Sequence, residues 1–347
     1  MKVILAGGGT GGHLYPGIAV AEELLKKNVE VLFLVSDRGI DRKILSSLQY
    51  NFVEQHVTAL KGKGVTDKIK SLFNLMKSIF ESMKLINKGD KVLLLGGFAA
   101  ASAGFAAVFR RADMYIHEQN SVMGFTNKFF ARFAEKVFLS FEDTQKSRGN
   151  TEVTGNPVRN DIKNIKVKKH IEKNLLVLGG SQGSRLINNL VADSFIMLQN
   201  KGVTLMHQTG EKLFEETKKR YVSNGANLEN GKLSIVKYIN DMKNALEWSD
   251  VIIARAGSGT VFEIMSAKRP AVLIPLGIAA DNHQYFNALY FKNRGFGFLL
   301  PEDSVDTKSL TECINNIFSN YDSYRKKFES FKSRNAAKLI TENMGIR

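Results

Sequence analysis

Glycine-rich turns, each placed between a short apolar run and a helical pattern, carry much of the chemistry this sequence offers. The first reads Gly7-Gly8-Gly9-Thr10-Gly11-Gly12-His13 and holds a formal G-x-G-x-x-G at Gly7, Gly9 and Gly12, with a helix expected over 17–27. Backbone N–H groups in such a loop can approach an anion at a helix N-terminus. Alone, the pattern equally fits a dinucleotide site, with Asp37 as the acid after the second strand. His13 sits awkwardly in that reading. An imidazole at the loop end points acid–base chemistry at the site, unless it only bonds backbone at the helix start. A second loop, Gly179-Gly180-Ser181-Gln182-Gly183-Ser184, repeats the strand–glycine–helix order. A glycine pair, Gly96-Gly97, leads into small residues over 99–107 that suit close backbone packing better than an acceptor passage.

The most informative segment is Arg255-Ala256-Gly257-Ser258-Gly259-Thr260-Val261-Phe262-Glu263. A strand ends, the chain turns on glycine, and a helix begins whose unpaired N–H groups and positive dipole end suit a diphosphate. Glu263 lies one turn in, where a carboxylate can accept both hydrogens of a ribose diol; the plainer reading is a first-turn acid. Asp281-Asn282-His283-Gln284 downstream suits hydroxyl recognition and hence a sugar. Two further polar clusters are His117-Glu118-Gln119-Asn120 and Thr154-Gly155-Asn156-Pro157-Val158-Arg159, and Arg159 could stabilise a leaving diphosphate. The sequence has no Asp-x-Asp, and its six histidines lack metal-ligand spacing. Leaving-group charge would then fall to helix dipoles and cations, so no metal and no cofactor is expected.

These segments need a scaffold of strands feeding helices. Apolar runs at 3–6, 30–35, 92–95, 114–116 and 137–139, then at 175–178, 204–206, 233–236, 251–254, 271–274 and 297–300, alternate with helical patterns. That order implies βαβ units and parallel sheets buried on both faces. A polar, lysine-rich stretch over 160–173 divides the chain into domains at 1–160 and 161–347. The expected fold class is α/β, two doubly wound Rossmann-like domains facing a cleft, with ligands at the carboxyl ends of the strands. A long last helix, about 322–343, is expected to cross back onto the first domain.

The chain has 347 residues, 44% of them hydrophobic and 24% charged, as in a folded globular protein. Its 49 Lys+Arg against 34 Asp+Glu give a formal charge of +15, which favours polyanionic partners. A single cysteine, Cys313, excludes an intrachain disulfide and a multi-cysteine metal cluster and fits a reducing compartment. No apolar stretch is long enough for a signal peptide or a bilayer span. Over 66–88, Ile69, Leu72, Phe73, Met76, Ile79, Phe80 and Met83 form one stripe flanked by Lys70, Lys77 and Lys84. Such a helix suits an anionic membrane surface; the competing reading packs the stripe on the protein's own sheet. No nucleic-acid-binding motif accompanies the charge.

Taken together and in order from the first strand to about residue 287, these motifs resemble the MurG family of peptidoglycan N-acetylglucosaminyltransferases. The resemblance implies a GT-B fold, with UDP-GlcNAc held mainly by the C-terminal domain and the acceptor by the N-terminal one. It implies donor contacts at Thr10, Gly11, Gly12, Asn120, Arg159, Ser181, Ile239, Ser258, Gly259, Thr260, Val261, Phe262, Glu263 and Gln284. Ile239 would hold the uracil through its backbone. The implied reaction is inverting transfer of GlcNAc to the C4 hydroxyl of the muramyl sugar of lipid I, giving lipid II, with His13 as general base and Glu118 in reserve. Ile69, Phe73, Met76 and Phe80, with the three lysines, would meet anionic phospholipid on the cytoplasmic face of the plasma membrane. Alternatives are another UDP-sugar enzyme of this fold, a glycolipid glycosyltransferase or a UDP-GlcNAc 2-epimerase, and a non-catalytic UDP-sugar-binding subunit. His283, where some family members carry glutamine, and Gly259 and Phe262 in the ribose loop depart from the usual pattern.

Overall fold

A computed structural model describes residues 2–8, 11–37, 39–57, 65–180 and 182–346. Its chain forms two compact units, one of Met1–Arg159 with Arg334–Arg347 and one of Asn160–Ser333. Each is a parallel sheet flanked by helices.

In the first unit the strands are β1 (Lys2–Gly7), β2 (Glu30–Ser36), β3 (Phe52–Gln55), β4 (Lys91–Gly96), β5 (Asp113–Glu118), β6 (Lys136–Leu139) and β7 (Thr151–Val153). They lie in the order β3-β2-β1-β4-β5-β6-β7. Both sheet faces are covered, which is why the central strands read as unbroken apolar runs. Val3 and Leu5 of β1 face one way, onto Leu14, Ile18 and Phe33. Ile4 and Ala6 face the other way, onto the small residues Ala100, Ala103 and Ala107 of helix Ala99–Arg110. The second unit holds β8 (Asn174–Leu178), β9 (Thr204–Gln208), β10 (Leu233–Val236), β11 (Val251–Ala254), β12 (Ala271–Leu273) and β13 (Gly297–Leu299), in the order β10-β9-β8-β11-β12-β13. Strand order reverses between β1 and β4 in one sheet and between β8 and β11 in the other. Those two switch points are where a doubly wound sheet opens a crevice for ligands.

The structure corrects the sequence reading in three places. Two strands were missing from it, β3 and β7, and both are sheet edges. Phe52–Gln55 is half polar and Thr151–Val153 is only three residues long, so neither shows an apolar run. The first helix is Gly11–Leu25 and already includes His13, with Pro16 inside it. A proline that early removes one bond, to the Gly12 carbonyl, and the helix continues through it. The single helix expected over 322–343 is two helices, Tyr321–Ser330 and Ala336–Asn343. Between them the chain extends at Phe331, whose ring packs edge-on against Phe296 at 5.4 Å. Asn335 then caps the new helix by accepting from the Lys338 N–H. Ala337, Ile340 and Met344 of that helix join the core beneath helix Gly11–Leu25.

Candidate active site

At the β1/β4 switch point the imidazole of His13 lies over the backbone of Gly96 and Gly97. A Cβ built on Gly96 would stand 3.3 Å from the His13 Cε1, and one on Gly97 would stand 3.8 Å from its Cδ2. Both glycines have positive φ, 92° and 78°, so the turn after β4 needs them for its backbone as well as for room. The pair is thus the seat of His13. The ring's Nδ1 is 3.0 Å from Gln119 Oε1. Behind Gln119 lies His117, fully buried, with burial pushing its pKa down to about 3. His117 Nε2 is 3.1 Å from the Ser140 hydroxyl.

Glu118, adjacent in sequence, does something different. Its Oε1 accepts from the Asn120 N–H at 3.0 Å, and its Oε2 accepts from the Gly124 N–H at 3.0 Å and Asn127 Nδ2 at 2.8 Å. The carboxylate is 2% exposed. It therefore clamps the loop after β5, and Asn120 is held at the rim of that loop through its own N–H. Arg159 is partly exposed and ends the first unit. Gly12 is exposed in the first turn of its helix. Gly11 opens that helix; Thr10 and Ser181 lie outside the described residues.

In the second unit, helix Ser258–Ala267 starts at the end of β11 with Gly257 as N-cap and no side chain capping it. The Val261 N–H already donates to the Gly257 carbonyl at 3.0 Å. The amides of Ser258, Gly259 and Thr260 precede that first helical bond, where a helix leaves its N–H groups without intrahelical partners. Val261 and Phe262, expected among the ligand contacts, have buried side chains. Glu263 is partly exposed one turn on. Gln284 accepts the Leu276 N–H on its Oε1 at 3.1 Å, which leaves its amide hydrogens for a hydroxyl.

Two roles escaped the sequence reading, those of Gln208 and of Arg255. Gln208, at the carboxyl end of β9, donates to the Gly180 carbonyl at 3.0 Å and accepts the Ile239 N–H at 3.1 Å. It ties the second glycine loop to the backbone expected to read a base, and it leaves the Ile239 carbonyl as that backbone's offer. A buried glutamine ending an apolar strand was the available signal. Arg255 pairs with Glu302 at 2.7 Å and donates to the Ile274 and Pro275 carbonyls, while Glu302 accepts the Gly277 N–H. The loop that delivers Gln284 is fixed from both sides.

Helix Val65–Leu85 is built inside out. Ile69, Phe73, Met76 and Phe80 are 65%, 68%, 51% and 61% exposed, whereas Ser71, Ser78 and Ser82 are buried. Ser82 donates to Gln55 Oε1 at 3.1 Å, and Ser102 of the neighbouring helix donates to the same oxygen at 3.0 Å. Ile69, Leu72, Phe73, Met76 and Phe80 therefore face away from the core, whereas Ile79 is half-buried and Met83, at the end of the stripe, packs against the core. Lys70, Lys77 and Lys84 are exposed on the same helix. No helix among the described residues is long and apolar enough to cross a membrane.

Two parallel α/β units, each with a glycine turn at its switch point, and in the second an uncapped helix end with a partly exposed glutamate one turn on, define the class: a GT-B glycosyltransferase. The model of the glycosyltransferase family 28 N-terminal domain matches residues 3–139, and that of the family's C-terminal domain matches 174–343. A Francisella philomiragia protein named UDP-N-acetylglucosamine--N-acetylmuramyl-(pentapeptide) pyrophosphoryl-undecaprenol N-acetylglucosamine transferase is 37% identical over 341 residues, 94% of this chain and 91% of its own. The crystal structure of Acinetobacter baumannii MurG superposes with a TM-score of 0.78 at 26% identity, covering 100% of both chains. At the level of fold alone, a UDP-GlcNAc 2-epimerase from Neisseria meningitidis gives 0.71 at 14% identity, covering 100% of both chains. The chain belongs to the MurG family within glycosyltransferase family 28.

Proposed function

We propose that the chain transfers N-acetylglucosamine from UDP-GlcNAc to the C4 hydroxyl of the muramyl sugar in undecaprenyl-pyrophosphoryl-MurNAc-pentapeptide, lipid I, and so makes lipid II. Family membership along the whole length supports the substrates. The observation that carries the chemistry is His13, held over Gly96-Gly97 with Nδ1 engaged and Nε2 without a partner among the described residues. Nε2 takes the hydroxyl proton as the C4 oxygen attacks the anomeric carbon. The bond from that carbon to the diphosphate oxygen breaks on the opposite side, UDP leaves, and the anomeric configuration inverts. Glu118 is the weaker base, because both its oxygens already hold the β5 loop. The amides of Ser258, Gly259 and Thr260 receive the developing diphosphate charge, with Arg159, Gly11 and Gly12 as further donor contacts. Glu263 takes the ribose and Gln284 the sugar hydroxyls.

The same proposal places the protein peripherally on the cytoplasmic face of the plasma membrane. Its support is the outward apolar stripe of helix Val65–Leu85 beside three exposed lysines, in a chain of charge +15.

Transfer of labelled GlcNAc to a lipid I analogue by purified protein, with excess chelator present, tests the reaction. Label should move to the acceptor. Donor binding without transfer, even after divalent metal is restored, overturns the acceptor assignment, and label released as free sugar points to a hydrolytic or epimerase-like course. His13→Ala should lower kcat by roughly 10²–10⁴-fold, the usual share of a general base, with UDP binding retained. Near-normal turnover removes His13 from the role.

A further inference from the structure

Behind His13 lies a set of buried polar groups whose donors and acceptors run in one direction only. Gln119 and His117 are both fully buried, so each hydrogen-bonding atom must meet a partner of opposite kind. Gln119 Nε2 is 2.9 Å from the His117 carbonyl oxygen. A carbonyl only accepts, which fixes the amide: its nitrogen faces His117 and its oxygen faces His13. The flipped amide would set two acceptor oxygens 2.9 Å apart in a dry interior, an arrangement with no compensating bond. An amide oxygen also only accepts. His13 Nδ1, 3.0 Å from it, must therefore carry a proton.

The next link runs the same way. Gln119 Nε2 also lies 3.1 Å from His117 Nδ1 and donates to it, so neutral His117 keeps its proton on Nε2, facing the Ser140 hydroxyl. Burial holds His117 neutral across the whole working pH range, so its Nδ1 does not turn into a donor and reverse the chain.

We propose that Gln119, oriented by His117, is a positioning residue that locks neutral His13 in its Nδ1–H tautomer and so keeps the basic lone pair on Nε2. This deepens the reading of His13 as general base and rests on it. The lock is made by a neutral amide, where a carboxylate would also stabilise the imidazolium and hold on to the abstracted proton. The proton taken from the acceptor hydroxyl is then free to leave for solvent at the end of each turnover.

The closing experiment uses the whole enzyme with ¹⁵N-labelled histidine. Long-range proton–nitrogen NMR on the wild type reports the tautomer directly, the His13 signals being those absent from His13→Ala. Nδ1 protonated and Nε2 bare is the expected result; the opposite pattern overturns the proposal without reference to any variant. In Gln119→Met, which keeps the side-chain length, the His13 signals should move toward the Nε2–H form. Its kcat should fall at least roughly tenfold, and no further than the roughly 10²–10⁴-fold that a general base supplies, with KM for UDP-GlcNAc unchanged. An unaltered tautomer, or an altered tautomer with full kcat, overturns the proposal. Should Gln119→Met not fold, the wild-type spectrum still decides. The base assignment itself stands or falls separately, on turnover by His13→Ala.

Discussion

Phe73→Ser/Phe80→Ser tests whether the outward face of helix Val65–Leu85 enters a bilayer. The two rings are 68% and 61% exposed, and an aromatic side chain presents roughly 150–250 Å², so each shows about 130 Å² to solvent. At about 25 cal/mol per Å², covering both rings completely would contribute on the order of 6 kcal/mol. A helix lying in the interface covers only its lower side, so about half of that, roughly 3 kcal/mol, is the expected loss. In partition coefficient this is about 100-fold, each 1.4 kcal/mol being a factor of ten. The assay is co-sedimentation with sucrose-loaded vesicles of phosphatidylglycerol and phosphatidylethanolamine, at low and at high salt. Lys70, Lys77 and Lys84 add about 1 kcal/mol each near an anionic leaflet, a part that salt screens and the phenylalanines do not share. Because both rings are solvent-facing, folding stability should move by no more than about 0.5 kcal/mol, and turnover on a water-soluble acceptor analogue should be kept. A double variant that sediments with vesicles as well as its parent would refute the membrane face.

Gly97→Ala introduces a Cβ at φ 78°, 3.2 Å from the Gly8 carbonyl oxygen and against the His13 ring. It should cost about 1–2 kcal/mol of stability by thermal melting and lower kcat well beyond that of a neutral surface change. Glu263→Gln should weaken UDP-GlcNAc binding by roughly tenfold in calorimetry, as a charged acceptor on a diol becomes a neutral one, with kcat at saturating donor little changed. Acid should destabilise both units. His117 and His207 are fully buried and have pKa values pushed from 6.5 to about 3 by burial. Below pH 6.5 the unfolded chain protonates each imidazole and the folded chain does not, so stability falls as pH drops. Between pH 6.5 and 5, where ordinary carboxylates are still ionised, melting should show a loss of about 1.1 kcal/mol per histidine per pH unit on average, and a flat profile would contradict it.

Most of the scaffold was legible because its strands are buried on both faces and therefore uniformly apolar; β8 and β11 could hardly be read otherwise. β3 and β7 were hidden by being edges, where Glu54 or a three-residue length suffices for pairing on one side. The helix end at Ser258 could be read from glycine following an apolar run. That Val261 and Phe262 are buried could not, since burial depends on what distant parts of the unit pack against that helix. For residues 66–88 the stripe was visible but its direction was not. That direction is set by Gln55 and Ser102, distant in sequence, which give Ser82 a polar reason to face inward. Likewise Gln119 stood in view between Glu118 and Asn120. Its role depends on which atom of His117 its nitrogen meets, a matter of loop geometry that residue types leave open.

The last helix gives the two units different histories on the ribosome. Unit Asn160–Ser333 is continuous and can close as soon as its own residues emerge. The first unit is interrupted by it, and the patch formed by Leu14, Ile18 and Ala21 waits for Ala337, Ile340, Met344 and Ile346, which are made only after the whole second unit. During synthesis, then, the half that carries His13 is the one left with an open apolar seam. Removing residues 336–346 would unsettle this amino-terminal half and spare the half next to which they are translated.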